Sequence, residues 1–141
     1  MHCVFSTKGR RNFITPDAQN RLWPYMGGVA RANGMNALAV GGVADHSHML
    51  LAIPSTLAIS KAMQLIKGAS SKWMSETFPT QEAFQWQEGY AAFSIGVSGI
   101  DKTVAYIGNQ LEHHKVKTFE EEFISFLECH GVAYDPRYVF D

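Results

Sequence analysis

The sequence predicts an α+β protein with a ferredoxin-like (RRM-like) fold, a four-stranded antiparallel sheet with helices on one face and further C-terminal helices. Four short stretches show the alternating or continuous apolar pattern of strands. In the segments between and after them, apolar residues recur every three or four positions, as in helices. The resulting order, β-α-β-β-α-β-α-α, begins with the six elements of the split β-α-β pattern. The other face of such a sheet would be open for a functional site.

The first half of the chain carries clear boundary signals. Thr15-Pro16-Asp17 starts a helix with a capping hydroxyl, a proline at the first helical position and an early acid. Pro24 and Gly27-Gly28 predict a kink or a split within that helix, and Gly34 ends it. We expect strands at 2–7, 36–43 and 46–53, of which the last two form a hairpin through a short turn.

The second half supplies one more strand and three helices. Ile59, Met63 and Ile66 form the apolar stripe of a long helix. Ser98, followed three residues later by an aspartate, resembles a capping box, and Thr118 opens a clean one. We expect these elements at about 57–77, 89–97, 100–115 and 118–130.

Length and composition indicate one cytoplasmic domain. The chain has 141 residues, of which 46% are hydrophobic, and we expect a single domain over 1–141. No stretch approaches the roughly 20 apolar residues of a membrane span, and the N-terminus lacks a signal-peptide layout. Cys3 and Cys129 fit no metal-binding pattern and are expected to be free thiols.

The charged residues are distributed unevenly. The net charge of −1 argues against nucleic acid, but residues 1–75 hold eight Lys/Arg against two acidic residues. Residues 76–141 hold four against eleven. Such asymmetry can form a basic face for a polyanion, although ordinary solvated charge explains it equally well. The candidates for a DNA-binding face are Lys8, Arg10, Arg11, Lys61 and Lys67.

Two histidines on the third predicted strand form a candidate metal site. His46 and His48 flank Ser47, so on a strand they share one face with Cα atoms about 6–7 Å apart. Two imidazoles at that separation can share one metal ion. An H-x-H pattern alone is more often two ordinary polar residues.

The helix predicted at 100–115 presents a second set of polar groups. Tyr106, Gln110 and His113 fall on one side, nearly opposite Val104, Ile107 and Leu111. If the Gln110 amide oxygen met the histidine pair, the three ligands would leave open positions on a divalent ion. Mg²⁺ or Mn²⁺ suits such an open, phosphate-binding site better than zinc does.

Tyr106 is the candidate nucleophile of this set. It lies one turn from Gln110, and a metal-bound phosphate would therefore be close to its hydroxyl. A phenol has a pKa of about 10 and attacks at neutral pH only when its proton is removed or its target is activated. The sequence names no general base, and His113 is a possible supporting group.

At this point the chain resembles a known family, the single-tyrosine HUH transposases of the insertion-sequence type and their REP-associated relatives. The resemblance covers nearly the whole chain. It is carried by Val4-Phe5-Ser6-Thr7-Lys8, Asp45-His46-Ser47-His48, Trp86-Gln87-Glu88-Gly89-Tyr90, Tyr106-x-x-x-Gln110, Glu112-His113-His114-Lys115 and Tyr134-Asp135-Pro136-Arg137-Tyr138. Ser47 departs from the pattern, since the family has a bulky apolar residue there. Its side chain should point to the opposite face, so metal binding should survive with weaker packing.

The resemblance implies an enzyme that nicks and rejoins single-stranded DNA bearing hairpins. It implies a divalent metal, a 5′-phosphotyrosine intermediate, a free 3′-hydroxyl, and a homodimer in which one subunit's tyrosine helix serves the other's histidines. Two alternatives stay open: a domesticated or inactive DNA-binding protein, and an RNA-binding module of the same sheet topology. The second would need exposed aromatic residues on the first and third strands, where His48 and Met49 stand instead.

Overall fold

The computed structural model describes residues 1–79, 83–115, 117–137 and 139, so Tyr138 of the tail motif lies outside the described residues. Residues 1–110 and residues 111–141 form two compact units. The expectation of a single domain over 1–141 stays a prediction. The strands are β1 (His2–Ser6), β2 (Asn36–Val43), β3 (His46–Ala52) and β4 (Ala91–Phe93), and the helices are α1 (Pro16–Ala32), α2 (Ile59–Thr77), α3 (Ile100–Gly108), α4 (Gln110–His113) and α5 (Phe119–Cys129).

The predicted α+β fold is confirmed by a four-stranded sheet in the order β2-β3-β1-β4. Every pairing is antiparallel, and β2 and β3 form the expected hairpin. In the pairing of β1 with β3, Val4 lies opposite His48 and Ser6 lies opposite His46. The histidine pair therefore lies on a central strand, where both neighbouring strands fix its backbone.

One face of the sheet packs on α1 and α2. Cys3, Phe5, Met49 and Leu51 alternate with the histidines along their strands and are almost completely buried. Burying such side chains stabilises the fold by about 1.5–3 kcal/mol each. The helices contribute Ala18, Leu22, Met26, Ala30, Ala62, Met63 and Ile66 to the same core.

The other face of the sheet carries α3. A Cβ atom built on Gly41 would lie 2.5 Å from the carbonyl oxygen of Ile107, so the α3 backbone lies directly on β2. Gly41 pairs with His48, which places α3 on the face that bears the histidines. Ile107 is 1% exposed. The face expected to be open for a site is thus partly covered by the helix that holds Tyr106.

Of the kink or split expected within α1, the split is wrong, and the kink stays a prediction. The helix runs without interruption from Pro16 to Ala32 and contains Pro24. Thr15 caps it as predicted, since its side chain accepts a hydrogen bond from the Ala18 amide. Most helical stability in proteins comes from packing of an apolar face, and this packing outweighs the backbone hydrogen bond that proline cannot make.

The strand predicted at 89–97 is much shorter in the structure. Only Ala91–Phe93 pairs with β1, after which Val97–Gly99 forms a 3₁₀ turn. The predicted cap at Ser98 is wrong, because the residue before α3 is Gly99 and no side chain caps the helix. The capping box at Thr118 is confirmed by a hydrogen bond from the Glu121 amide to the threonine hydroxyl oxygen.

The helix predicted at 100–115 is interrupted at Asn109. The Asn109 amide donates to the Tyr106 carbonyl at 3.2 Å, a tight turn after which α4 begins at Gln110. Gln110 is 1% exposed, while Leu111, assigned to the apolar side from the pattern, is 62% exposed.

Two expectations from composition can be compared with the structure. Among the helices of the described residues, none has the length and apolarity to cross a bilayer. Cys3 and Cys129 are free thiols, as predicted. Burial raises the pKa of the Cys3 thiol to about 11, so this cysteine is a poor nucleophile.

Candidate metal and tyrosine site

The histidine pair of β3 forms the centre of the site in the first unit. His46 and His48 are fully buried, and their ring centroids lie 5.1 Å apart. Each ring is held through Nδ1. The Nδ1 atom of His46 lies 2.7 Å from a carboxylate oxygen of Asp45, and that of His48 lies 2.9 Å from Nε2 of His2. A metal bound by either histidine would therefore have to be bound through Nε2.

Gln110 meets the histidine pair, as the sequence predicted. Its Oε1 atom lies 3.2 Å from Nε2 of His46. The amide nitrogen of the same side chain donates to the Tyr106 carbonyl at 3.3 Å, which fixes which end of the amide faces the histidine. The structure thus brings His46, His48 and Gln110 together within one chain.

The hydrogen-bonding roles at His46 are compatible with a bound cation. A carboxylate only accepts hydrogen bonds, so His46 donates its Nδ1–H to Asp45 and, when neutral, presents a lone pair at Nε2. That lone pair faces the Gln110 amide oxygen, which is also an acceptor. With a proton on Nε2 the ring would donate to this oxygen, and with the lone pair there both atoms could bind one cation. Adjacent octahedral ligands of Mg²⁺, each about 2.0–2.1 Å from the ion, lie about 3 Å apart, close to the observed separation.

Tyr106 lies beside these groups. Its ring is edge-on to His48 at 5.7 Å between centroids, and edge-on to His2 at 6.3 Å. The tyrosine is half-buried on α3, one turn before Gln110. The Tyr106 ring therefore lies beside the histidine pair of its own chain.

Comparison with known proteins identifies the family of this chain. A family model described as "Transposase IS200 like" matches residues 1–110. The chain belongs to this family of transposases. It is 29% identical over 120 residues to the transposase for insertion sequence element IS200 of Salmonella typhimurium, covering 82% of this chain and 78% of the relative. It is 25% identical over 85 residues to the ISDra2 transposase TnpA of Deinococcus radiodurans, covering 60% and 61%.

Two solved structures share the fold of this IS200-like transposase. One is a Deinococcus radiodurans protein assigned as a transposase, with a TM-score of 0.62, 24% identity, and coverage of 77% of this chain and 88% of that chain. The other is a REP-associated tyrosine transposase bound to a REP hairpin, with a TM-score of 0.58, 19% identity, and coverage of 95% and 84%. The family identity accounts for transposition of a mobile element, DNA binding and DNA cleavage, and confirms the resemblance found in the sequence.

The second unit of the transposase holds His113, the predicted supporting residue. Nε2 of His113 and Nε2 of His114 both lie 3.1 Å from the same carboxylate oxygen of Glu122. Glu122 is 1% exposed. Sequence reasoning missed this glutamate, although an acid within the apolar spacing of the last helix was a signal that could have found it. A supporting role for His113 in the chemistry stays a prediction.

The predicted DNA-binding residues fall into two groups. Lys8 and Arg11 line a surface cavity of about 570 Å³ with Phe13 and Gln85, and Arg10 next to it has a positive φ of 56°. Lys61 is exposed on α2. These positions suit contact with phosphates, and that contact stays a prediction.

Lys67 has a structural role, and its contact with DNA stays a prediction. Its ammonium donates to the carbonyls of Gln87, Glu88 and Gly89 at 2.6, 3.1 and 2.8 Å and lies 5.5 Å from the centre of the Phe5 ring. Burial lowers its pKa to about 8, against the opposing effect of the nearby Glu88 carboxylate. Lys67 therefore holds the segment before β4 against α2.

Ser47, the departure from the family pattern, is also buried. Its hydroxyl donates to the Gly41 carbonyl at 3.3 Å. The buried Ser47 hydroxyl therefore has a hydrogen-bond acceptor in the backbone of β2. The histidines that flank it still share the other face of β3 with the tyrosine helix.

Proposed function

We propose that this transposase nicks and rejoins single-stranded DNA at hairpin-marked ends through attack of Tyr106 on a phosphodiester. The observation that carries the proposal is the position of the Tyr106 ring, 5.7 Å from that of His48. On the same strand, His46 lies 3.2 Å from the amide oxygen of Gln110. A nucleophile and a phosphate-binding ion would then share one site. The family identity supports DNA cleavage as the reaction class.

The proposed step balances as a transesterification. A bond forms between the Tyr106 oxygen and phosphorus, and the bond from phosphorus to the 3′ oxygen breaks. The phenol loses its proton to solvent, and the leaving 3′ oxygen takes one up. The product is a 5′-phosphotyrosine that stores the bond energy, so attack by a 3′-hydroxyl in the reverse direction rejoins the strand.

A divalent ion, Mg²⁺ or Mn²⁺, would be held by His46, His48 and Gln110, and when bound it supplies Lewis-acid polarisation of the phosphate. The residues of the chain would orient the ligands and position the nucleophile. Asp45 keeps the lone pair of His46 on Nε2, and Gln110 turns its amide oxygen toward that atom. Helix α3 would present the Tyr106 hydroxyl to the phosphate for in-line attack.

The substrate proposal has two supports. The REP-associated tyrosine transposase that shares this fold was solved with a REP hairpin. The basic loop at Lys8, Arg10 and Arg11 borders an open cavity of this chain, where phosphate oxygens can be bound. We therefore propose that a DNA hairpin binds along this loop while its single-stranded flank enters the tyrosine site.

The proposed assembly is a homodimer, but the geometry supports a tyrosine that acts within its own subunit. Tyr106 and His48 of one chain already lie side by side. A dimer would then serve to bring two DNA ends together rather than to complete each site. The resemblance implies that a tyrosine of one subunit serves the histidines of the other. The proposed dimer differs from this expectation only in that each tyrosine acts within its own subunit.

A nicking assay tests the proposal. A labelled single-stranded oligonucleotide with a hairpin should be cut in the presence of Mg²⁺ or Mn²⁺ and left intact with chelator. In parallel, calorimetric titration with Mn²⁺ should show one site in the wild type and none in His48→Ala. Binding of the hairpin without any cleavage would instead support an inactive DNA-binding module.

A further inference from the structure

His2, the first residue of β1, is a buried polar group that neither the family motifs nor the proposed reaction uses. It is 2% exposed. Its Nε2 atom lies 2.9 Å from Nδ1 of His48, and the two ring centroids are 5.1 Å apart. Phe93 of β4 and Tyr106 of α3 contact the same ring edge-on at 6.4 and 6.3 Å. Contacts from three other elements of the first unit therefore fix the position of His2 beside the candidate ligand.

The direction of the hydrogen bond between the two imidazoles decides what His48 can do. One nitrogen must donate and the other must accept. If His48 donates from Nδ1, its neutral ring has the lone pair on Nε2, where a metal can be bound. If His2 donates instead, neutral His48 carries its proton on Nε2, and neither of its nitrogens is suited to a metal.

The hydrogen bond between Asp45 and His46 indicates the direction of the hydrogen bond between His2 and His48. Asp45 accepts the Nδ1–H of His46 and so leaves the lone pair of that ring on Nε2. Histidines that bind metals nearly always donate their other ring N–H to an acceptor, which fixes both tautomer and orientation. His2 occupies the corresponding place at Nδ1 of His48. The two ligands would then be oriented in the same way by two different acceptors.

We propose that His2 is a positioning residue that accepts the Nδ1–H of His48 and fixes this ring as an Nε2 ligand of a divalent ion. The inference rests on the proposed metal site and adds a residue to it. It assigns His2 no contact with the ion or with DNA. The role requires an acceptor at this position, and not only a side chain of suitable volume.

The direct test is the tautomer of His48 in the metal-free protein. Two-bond ¹H–¹⁵N correlation spectra at a pH where the imidazoles are neutral report which ring nitrogen carries the proton. We expect His48 to be protonated at Nδ1. A proton on Nε2 of His48 would overturn the inference, whether or not any variant of His2 folds.

A pair of variants separates positioning from packing. His2→Gln keeps an amide oxygen that can accept from His48, and His2→Leu fills the space without an acceptor. We expect His2→Leu to weaken Mn²⁺ binding about 10- to 100-fold, and His2→Gln to recover most of the loss at similar thermal stability. Equal Mn²⁺ affinity in both variants and the wild type would refute the role.

His48→Ala distinguishes failure of this inference from failure of the metal site. If His48→Ala binds Mn²⁺ as the wild type does, the proposed metal site is wrong, and the role of His2 toward that site falls with it. If His48→Ala abolishes binding while His2→Leu leaves it unchanged, the metal site stands and only the inference about His2 is wrong.

Discussion

At the scale of single residues, the site depends on side chains that hold other side chains. Asp45 determines which nitrogen of His46 carries the lone pair, and the Tyr106 carbonyl determines which end of the Gln110 amide faces it. The result is that Nε2 of His46 and Oε1 of Gln110 lie 3.2 Å apart in a buried place. A divalent ion bound there would therefore meet ligand atoms that their neighbours already orient.

Removal of the Asp45 carboxylate should weaken metal binding. Asp45→Ala leaves all three proposed ligands in place but no longer selects the tautomer of His46. We expect the Mn²⁺ dissociation constant, measured by calorimetry, to rise about 10- to 100-fold. Asp17→Ala is the matched control, because it removes an exposed carboxylate from the first turn of α1, and it should leave the constant unchanged. An unchanged constant in Asp45→Ala would exclude this role.

Some of these residues could be predicted from the sequence and others could not. His46 and His48 follow from strand alternation, and Gln110 and Tyr106 follow from helical spacing. His2 could not be found in this way, because its contact with His48 depends on the register between β1 and β3. Register is set by the packing of the whole sheet, and no local pattern reports it.

At the scale of elements, the position of α3 depends on a missing side chain in β2. The carbonyl of Ile107 comes so close to Gly41 that any Cβ atom there would lie 2.5 Å from it. Since Tyr106 is the residue before Ile107, the close approach of the Ile107 carbonyl to Gly41 also sets the distance of the Tyr106 ring from His48. Gly41 is therefore needed for the geometry of the site as well as for packing.

The variant Gly41→Ala should displace α3 and reduce cleavage. We expect the nicking rate to fall at least 10-fold, because misplacement of a nucleophile by about 1 Å can cost about 100-fold. Gly28→Ala is the control, since no atom lies within 4 Å of a Cβ built there, and it should keep the wild-type rate. A wild-type rate in Gly41→Ala would mean that the approach of α3 to β2 is not required.

The elements themselves were largely predictable, and the errors have local causes. β2 and the start of α1 follow directly from apolar pattern and capping residues. The split expected at Pro24 does not occur, because the buried face of α1 keeps the helix continuous. The break at Asn109 was missed because nothing in the apolar spacing marks it.

At the scale of the whole molecule, the excess of positive charge lies in the first 75 residues. The sheet of the first unit separates the hydrophobic core from the histidine and tyrosine site. The basic loop at Arg10 and Arg11 should bind DNA phosphates. Replacing either arginine with alanine should weaken binding to hairpin DNA and reduce the slope of log K against log salt concentration by about 1. Arg31→Ala, an exposed residue in the last turn of α1, should change neither. If the slope of log K against log salt concentration is unchanged in both arginine variants, these arginines are solvated surface charges that do not contact DNA.

Mixing two inactive variants tests where the tyrosine acts. We expect a homodimer by sedimentation at micromolar concentration, and no recovery of activity when Tyr106→Phe is mixed with His48→Ala. Each site in a mixed dimer would then lack either the nucleophile or a ligand. Recovery of cleavage to a substantial fraction of the wild-type rate would show that subunits exchange tyrosines, and a monomer would contradict the proposed assembly.

The most direct test of the account is the covalent intermediate formed by Tyr106. The wild type, incubated with Mn²⁺ and hairpin DNA labelled on the 3′ side of the cleavage site, should retain the label on the protein in denaturing gels. Tyr106→Phe removes one oxygen and should abolish the adduct while hairpin binding and thermal stability stay as in the wild type. Tyr25→Phe, in α1 and stacked on Trp73 at 4.7 Å, is the matched control and should form the adduct normally. An undiminished adduct in Tyr106→Phe would contradict the central claim and assign the attack to another residue.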